Sequence, residues 1–153
     1  MLEPVAFDDP RQLFDRVPFM RLLGVQRIFS EGGRARLVLA PRAELGNVIG
    51  GVHGGAVVTL LDVVMASAAV SAIDFRRTAV TLNLDTAFVE PGRGTLTADG
   101  ELLREADGIA WCSATVTDDD GRIVARAQGS FRYLPLPRTS SGHRPTSPEG
   151  DTP

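Results

Sequence analysis

Residues 56–73 read AVVTLLDVVMASAAVSAI, an apolar run that is interrupted only by Thr59, Asp62, Ser67 and Ser71. A helix that is apolar on nearly every side has to be covered by protein on most of them. A run of this length could also span a membrane, but Asp62 lies inside it and no basic residue flanks its start. The run therefore predicts a buried central helix rather than a membrane span.

Upstream of this helix, the sequence predicts a short N-terminal helix and a β-hairpin. Asp9-Pro10 is typical of a helix start, with aspartate as the N-cap and proline in the first turn. Residues 25–30 and 34–40 carry alternating apolar positions around a turn with two glycines, which favours a hairpin. Three residues of its second strand are expected to face the core: Ala35, Leu37 and Leu39.

Downstream of the helix, the chain predicts four strands separated by turns: residues 78–89, 95–104, 109–117 and 122–134. In the first of these, alternation places three apolar residues on one face: Val80, Leu82 and Leu84. One apolar helix and a set of antiparallel strands predict an α+β fold, in which a curved antiparallel sheet wraps around the long central helix. Uncovered sheet edges and faces favour pairing of two copies.

The 153 residues suit one domain over residues 1–135, followed by a tail over residues 136–153. The tail is rich in Pro, Ser, Thr and Gly, and we expect it to be disordered. A net charge of −3 gives no basic surface for nucleic acid. All 16 positive charges are arginines, so lysine-dependent Schiff-base and P-loop chemistry is excluded.

The cysteine and histidine content points to a metal-free protein of the reducing cytoplasm. Cys112 is the single cysteine and cannot form an internal disulfide. Together with two histidines, it supplies too few ligands for the usual kinds of zinc site. The first residues lack the basic region and apolar run of a signal peptide.

The start of the central helix carries the candidate chemistry. Gly54 and Gly55 lie where a loop becomes a helix, so their backbone N–H groups lack intrahelical partners. Glycine has no Cβ, which lets a ligand approach that backbone closely. The partial positive charge of a helix N-terminus suits a carbonyl oxygen that becomes an oxyanion. The alternative is that the two glycines merely permit tight packing.

Asp62 is the second candidate, because an ionised carboxylate in an apolar helix is costly to bury without a partner. It follows Gly54 by eight residues, too far to cap the start of its own helix. We interpret it as a nucleophile or general base, or alternatively as an aspartate hydrogen-bonded across a dimer interface. His53 is interpreted as mainly structural. Asn47 either forms a turn or positions a water or carbonyl.

Six residues around the helix start form a spaced motif: Asn47, Gly50, His53, Gly54, Gly55 and Asp62. With the order of elements over residues 19–134, this motif resembles the hotdog-fold acyl-CoA thioesterases, most of all the PaaI-like branch named for phenylacetate degradation. The resemblance implies a hydrolase that cleaves an aromatic or medium-chain acyl-CoA to free acid and coenzyme A. It implies no cofactor, since coenzyme A is part of the substrate.

The resemblance also implies a homodimer with its two long helices side by side, and pairing of dimers into a homotetramer. Gly54, with Gly55 as a second binding group, would polarise the thioester carbonyl. Asp62 of the partner subunit would attack that carbonyl or activate a water. Asn47 aligns with an asparagine that holds water or substrate, and Thr81 with a Ser/Thr that assists the water. An ordinary strand threonine is the alternative for Thr81.

Two rival functions remain open at this stage: a hotdog enoyl-CoA hydratase or dehydratase, and a non-catalytic acyl-CoA-binding dimer. Retention of Asp62 favours hydrolysis over both. Phe88, Val89 and the N-terminal helix are candidates for lining an acyl pocket. Arg76-Arg77 after the central helix would complement its C-terminal dipole, or alternatively meet the phosphates of coenzyme A.

Overall fold

The structure, a computed structural model, describes residues 5–137. Within this range the helices are α1 Leu13–Arg16, α2 Pro18–Leu23 and α3 Gly54–Ala72. The strands are β1 Val25–Glu31, β2 Arg34–Leu39, β3 Thr78–Phe88, β4 Leu96–Ala106, β5 Ile109–Thr117 and β6 Ile123–Leu134. They form one antiparallel sheet in the order β1-β2-β4-β5-β6-β3. The α+β architecture expected from the sequence is confirmed.

Helix α3 packs against all six strands, and its side chains form the centre of the core. Four of them are completely buried: Leu60, Leu61, Val64 and Met65. The backbone of α3 touches the sheet at Gly100, where a Cβ would lie 2.8 Å from the carbonyl oxygen of Val64. Although α3 is long and apolar enough to cross a membrane by length and composition, it is here the core helix that the sequence predicts.

One face of α3 is left partly exposed by the sheet. It carries five residues spaced by one to four positions: Thr59, Asp62, Val63, Ala66 and Val70. Residues three or four apart lie on the same side of a helix, so these side chains form one stripe. Asp62 thus lies on a side of α3 that its own sheet covers only in part, which avoids the cost of burying a carboxylate in the core.

The predicted alternation in β3 is wrong, because the strand contains a bulge. The register of β3 against β6 shifts between Thr81 and Asn83, so Leu82 is an extra residue. Thr81 pairs with the buried Phe131 and therefore faces α3, whereas Val80 pairs with an exposed arginine and faces outward. Val80 is 40% and Leu82 is 51% exposed. The bulge turns Thr81 towards the helix.

The N-terminal predictions agree with the structure. A carboxylate oxygen of Asp9 accepts a hydrogen bond from the backbone N–H of Arg11 at 2.9 Å, and this cap begins a 3-10 turn, Pro10–Gln12, that leads directly into α1. Three side chains of β2 are fully buried as expected: Ala35, Leu37 and Leu39. The predicted disorder of residues 136–153 falls, from residue 138 onward, outside the described residues. The single-domain boundary at residue 135 stays a prediction.

Candidate active site

Of the first four backbone N–H groups of α3, three donate hydrogen bonds to His53. His53 is the N-cap, and its Nδ1 accepts a hydrogen bond from the N–H of Gly55 at 2.9 Å. Its carbonyl oxygen accepts bonds from Ala56 and Val57 at 2.9 and 3.2 Å. The N–H of Gly54 donates to no other residue in the described range 5–137. Of the two glycines, Gly54 is therefore the one with an N–H available to a ligand.

Asn47 holds together the loop that leads into α3. Its Oδ1 accepts hydrogen bonds from the N–H groups of Ile49 and Gly51 at 3.1 and 2.9 Å, and its Nδ2 donates to the carbonyl oxygen of Val52 at 3.3 Å. These bonds match the turn interpretation of Asn47. The residue also lines the recess in front of Gly54, so it fixes one wall of the candidate site.

This recess, the Gly54 recess, has a volume of about 280 Å³ and opens in front of the helix start. Asn47 and Gly54 line it on one side, and Phe88, Val89 and Glu90 line it on the other. The ring of Phe88 lies against the helix start, since a Cβ on Gly54 would be 3.4 Å from its Cζ. Phe88 and Val89 were expected near the substrate, whereas Glu90 was missed by the sequence analysis.

Asp62 and Thr81 form the second part of the site. The hydroxyl of Thr81 donates a hydrogen bond to Oδ1 of Asp62 at 2.7 Å. Both side chains are reachable from the surface, because Asp62 is partly exposed and Thr81 is exposed. A charge-assisted bond of this kind fixes the direction of the carboxylate. One oxygen of Asp62 is thereby held, and the other oxygen makes no bond with another residue among those described.

The two parts are separated within one chain. Asp62 follows Gly54 by eight residues in the same straight helix, which places them ~12 Å apart along its axis and about 80° apart around it. The structure thus brings His53, Gly54, Gly55 and Asn47 together at one point, and Asp62 with Thr81 at another. It does not bring these two groups together in a single copy.

Glu90 reaches the recess through tertiary packing that the sequence pattern does not signal. The turn after β3 is held against the loop before α3 by a hydrogen bond from the N–H of Val52 to the carbonyl oxygen of Gly92, at 2.9 Å. This contact joins residues that lie 40 positions apart. A carboxylate next to a turn proline gave no local indication of a role.

The residues that the sequence analysis set aside have structural roles. Cys112 is 1% exposed, and burial raises the pKa of its thiol to about 12, so it is protonated at neutral pH. Nε of Arg76 donates to the carbonyl oxygen of Ile73 at 2.9 Å, which matches the predicted interaction with the end of α3. In residues 5–137, no group of three or more His, Cys, Asp or Glu side chains could hold a metal ion.

Sequence comparison assigns the family. A family model described as "Domain of unknown function (DUF4442)" matches residues 12–132. The chain belongs to the DUF4442 family. A Mycobacterium tuberculosis relative, named "Putative esterase Rv1847", is 31% identical over 133 residues, which cover 83% of this chain and 94% of the relative. The solved structure of that protein superposes on this DUF4442 chain with a TM-score of 0.72 at 28% identity, covering 80% and 100% of the two chains.

Two further solved structures confirm the hotdog fold of this DUF4442 protein. A thioesterase family protein from Silicibacter pomeroyi has a TM-score of 0.76 at 25% identity, covering 82% of this chain and 96% of that chain. The Escherichia coli PaaI protein from the phenylacetic acid degradation operon has a TM-score of 0.75 at 21% identity, covering 82% and 91%. At that identity PaaI shows the fold alone, so the PaaI-like branch stays a prediction.

Proposed function

We propose that this DUF4442 protein is an acyl-CoA thioesterase, which hydrolyses the thioester bond of an acyl-CoA to a free acid and coenzyme A. The observation that carries the proposal is the helix start itself. Its cap uses the N–H of Gly55 and leaves that of Gly54 without a partner among the described residues, and Gly54 lines a recess large enough for part of a substrate. The esterase-named relative and the thioesterase family neighbour support the same class of reaction.

The chemistry follows from the two halves of the site. The carbonyl oxygen of the thioester accepts a hydrogen bond from Gly54, and the helix dipole stabilises the negative charge that develops on it. One such donor contributes ~3 kcal/mol to stabilisation of the transition state. Asp62 either attacks the carbonyl carbon or removes a proton from the attacking water. If Asp62 attacks, the C–S bond breaks, the coenzyme A thiolate takes a proton from water, and a second water hydrolyses the acyl-aspartate anhydride to the free acid. If Asp62 acts as a base, the water adds to the carbonyl, the C–S bond breaks, and the proton taken from that water passes to the coenzyme A thiolate. Neither route needs a metal or cofactor.

A complete site needs two copies of the chain. The carbonyl held at Gly54 lies ~12 Å along the helix from Asp62 of the same copy, beyond the reach of an aspartate side chain. In the proposed homodimer, Asp62 and Thr81 of one copy face the Gly54 recess of the other. The partly exposed stripe on α3 and the exposed apolar residues Val80 and Leu82 on the edge strand β3 support such pairing. We further propose that dimers pair into tetramers.

An apolar pocket of about 170 Å³ beside the stripe of α3 is the proposed acyl site. Its apolar lining comes mainly from the N-terminal helix region and from α3: Leu13, Phe14, Val17, Val63, Ala66 and Val70. Arg27 and Arg77 also line it. Apolar walls favour a hydrophobic acyl group, and the small volume favours an aromatic or medium-chain one. Because Cys112 is a free thiol and thiols stay reduced in the cytoplasm, the proposed setting is the cytoplasm.

A substrate panel tests the activity. Purified protein is incubated with phenylacetyl-, short-, medium- and long-chain acyl-CoAs, and release of free coenzyme A is followed with a thiol reagent. We expect thiol release, fastest with aromatic or medium-chain substrates. Tight binding of all acyl-CoAs without thiol release would indicate a binding protein instead. Hydration of an enoyl-CoA without thiol release would indicate a hydratase.

Subunit complementation tests whether the site is shared. Asp62→Asn removes the carboxylate, and Gly54→Leu fills the recess at the helix start, so each variant alone is expected to be nearly inactive. Mixing them during refolding or co-expression gives heterodimers that contain one intact site. Random pairing predicts recovery of about a quarter of wild-type activity. If each chain contained a whole site, mixing would restore nothing, and the shared-site proposal would fail.

A further inference from the structure

A second recess, here called the arginine recess, adjoins the Gly54 recess and shares Val52 and Gly92 with it. It has a volume of about 380 Å³ and lies between the loop before α3 and the turn over residues 91–94. Within the described part of the chain, its charged lining residues are Arg42 and Arg93. The two recesses are therefore neighbours, and a ligand that extends beyond the Gly54 recess on this side meets a space lined by two arginines.

Glycine backbone supplies much of the lining of the arginine recess. A Cβ on Gly51 would lie 3.1 Å from the carbonyl oxygen of Gly92, so the loop and the turn can approach this closely because residue 51 is glycine. The N–H groups of Gly92, Arg93 and Gly94 donate no hydrogen bond to any residue that the structure describes. Successive N–H groups in a turn can bind an anion, so the turn adds neutral donors to the two guanidinium groups.

The two arginines differ in what they already contact. Arg42 donates a hydrogen bond to the carbonyl oxygen of Leu22 at 2.9 Å and pairs with Glu44 at 3.7 Å. Arg93 is exposed and has no hydrogen bond or ion pair with the part of the chain that the structure describes. Arg93 therefore has its guanidinium free for a ligand, whereas Arg42 also ties α2 to the loop.

Three carboxylates lie near the arginine recess, and each is placed so that it does not fill it. Glu44 is the partner of Arg42. Asp119 packs against Gly94 and accepts a hydrogen bond from the N–H of Thr95 at 2.8 Å. Glu90 lines the neighbouring Gly54 recess instead. Among the described residues, the guanidinium of Arg93 thus has no carboxylate partner, and the backbone N–H groups beside it have no acceptor.

We propose that the arginine recess binds the phosphate groups of coenzyme A, with Arg93 as the main contact and Arg42 as the second. This inference rests on the proposed function. When the thioester carbonyl is bound at Gly54, the coenzyme A portion of the substrate would lie past Val52 and Gly92, which line both recesses. Guanidinium groups bind phosphate through paired N–H donors. All 16 lysine and arginine positions of this chain are arginines, so arginine is the side chain available here for phosphate binding.

Calorimetric titration with unacylated coenzyme A and with pantetheine, which lacks the phosphates, tests the subsite without relying on turnover. Wild type is expected to bind coenzyme A more tightly than pantetheine, and added salt should reduce that preference. Arg93→Gln should reduce the preference about 10-fold, and Arg93→Lys should retain part of it. The matched control is Arg104→Gln, an exposed arginine ~26 Å along β4 from the turn, which should leave the preference unchanged.

The outcomes separate the two proposals. A preference that is the same in Arg93→Gln and wild type, or one reduced equally by Arg104→Gln, overturns the phosphate subsite. Wild type that binds coenzyme A and pantetheine equally well, or neither of them, overturns it as well. An Arg93-dependent preference in a protein that hydrolyses no acyl-CoA would sustain the subsite and refute the proposed hydrolase.

Discussion

Two points on the same helix, Gly54 and Asp62, contrast in how the structure prepares them. At Gly54 the helix begins, and the cap from His53 to Gly55 leaves the N–H of Gly54, which lines a recess, without a partner among the described residues. At Asp62, two turns later, a carboxylate is held by Thr81 on the partly exposed side of the helix. The backbone N–H of Gly54 can stabilise a developing negative charge, whereas Asp62 supplies a carboxylate.

Under the proposed mechanism, each chain holds complementary halves rather than a whole site. The separation of ~12 Å along a rigid helix cannot be closed by rotating side chains. In the proposed homodimer, pairing two chains brings the halves together without changing the helix. The proposal therefore links activity to assembly, since the contact that joins the copies would also complete the active site.

The largest effect is expected from removing the carboxylate of Asp62. Asp62→Asn keeps the size of the side chain but abolishes the base or nucleophile, and we expect turnover to fall ~10²–10⁴-fold. Initial rates of thiol release, with circular dichroism as a check on folding, measure this loss.

Glu90→Gln is the matched comparison, because Glu90 is the carboxylate that lies beside Gly54 in the same copy. If the site is shared between copies, this substitution should cost much less turnover than Asp62→Asn. A larger loss from Glu90→Gln would indicate that Gly54 and the reacting carboxylate belong to the same copy, which would contradict the shared site.

A smaller effect is expected from the support of Asp62 by Thr81. Thr81→Val removes the hydroxyl that donates at 2.7 Å while keeping the branched shape, and we expect kcat to fall about 10-fold as the carboxylate loses its fixed direction. Thr81→Ser restores a donor and should recover most of the rate. Equal rates in both variants would show that the hydroxyl is an ordinary strand contact.

The cap of the helix start affects stability as well as chemistry. His53→Ala removes the acceptor for the N–H of Gly55, which should lower the free energy of unfolding by about 1 kcal/mol. His53→Asn supplies a different cap and should restore stability, as measured by urea denaturation. A loss of activity that His53→Asn does not restore would assign the imidazole a part in the reaction.

The smallest effect on activity is expected at Cys112. Cys112→Ala should leave turnover unchanged, because the thiol is buried and protonated. Its pKa is raised in the folded state to about 12, so the protonated thiol contributes stability below the ordinary pKa of ~8.5. That contribution is lost as the pH rises from there towards 12.

Urea denaturation at pH 8 and pH 10.5 measures this pH effect. The decline in the free energy of unfolding between the two values should be smaller in Cys112→Ala than in wild type. Burial also raises the pKa of Tyr133 to about 12, so part of the decline should persist in the variant. An unchanged decline would show that Cys112 is not the titrating group.

The sequence was sufficient for the elements and for most residues of the candidate site. The apolar run, the glycines before it and the alternation in β2 are local patterns, and each depends on helix or strand periodicity. In β3 the same reasoning was wrong, because a single extra residue at Leu82 reverses which side chains face the helix. That reversal is also what allows Thr81 to reach Asp62.

By itself, the sequence determined that one apolar helix begins at glycines and carries a lone carboxylate two turns later. These features belong to neighbouring residues, whose periodicity and missing Cβ atoms are read directly from the chain. Only the tertiary structure decided that the N–H of Gly54 has no partner in residues 5–137, that Glu90 lines the same recess and that Arg93 lines an adjoining one. Such contacts join distant residues through strand register and loop packing, which no local preference specifies.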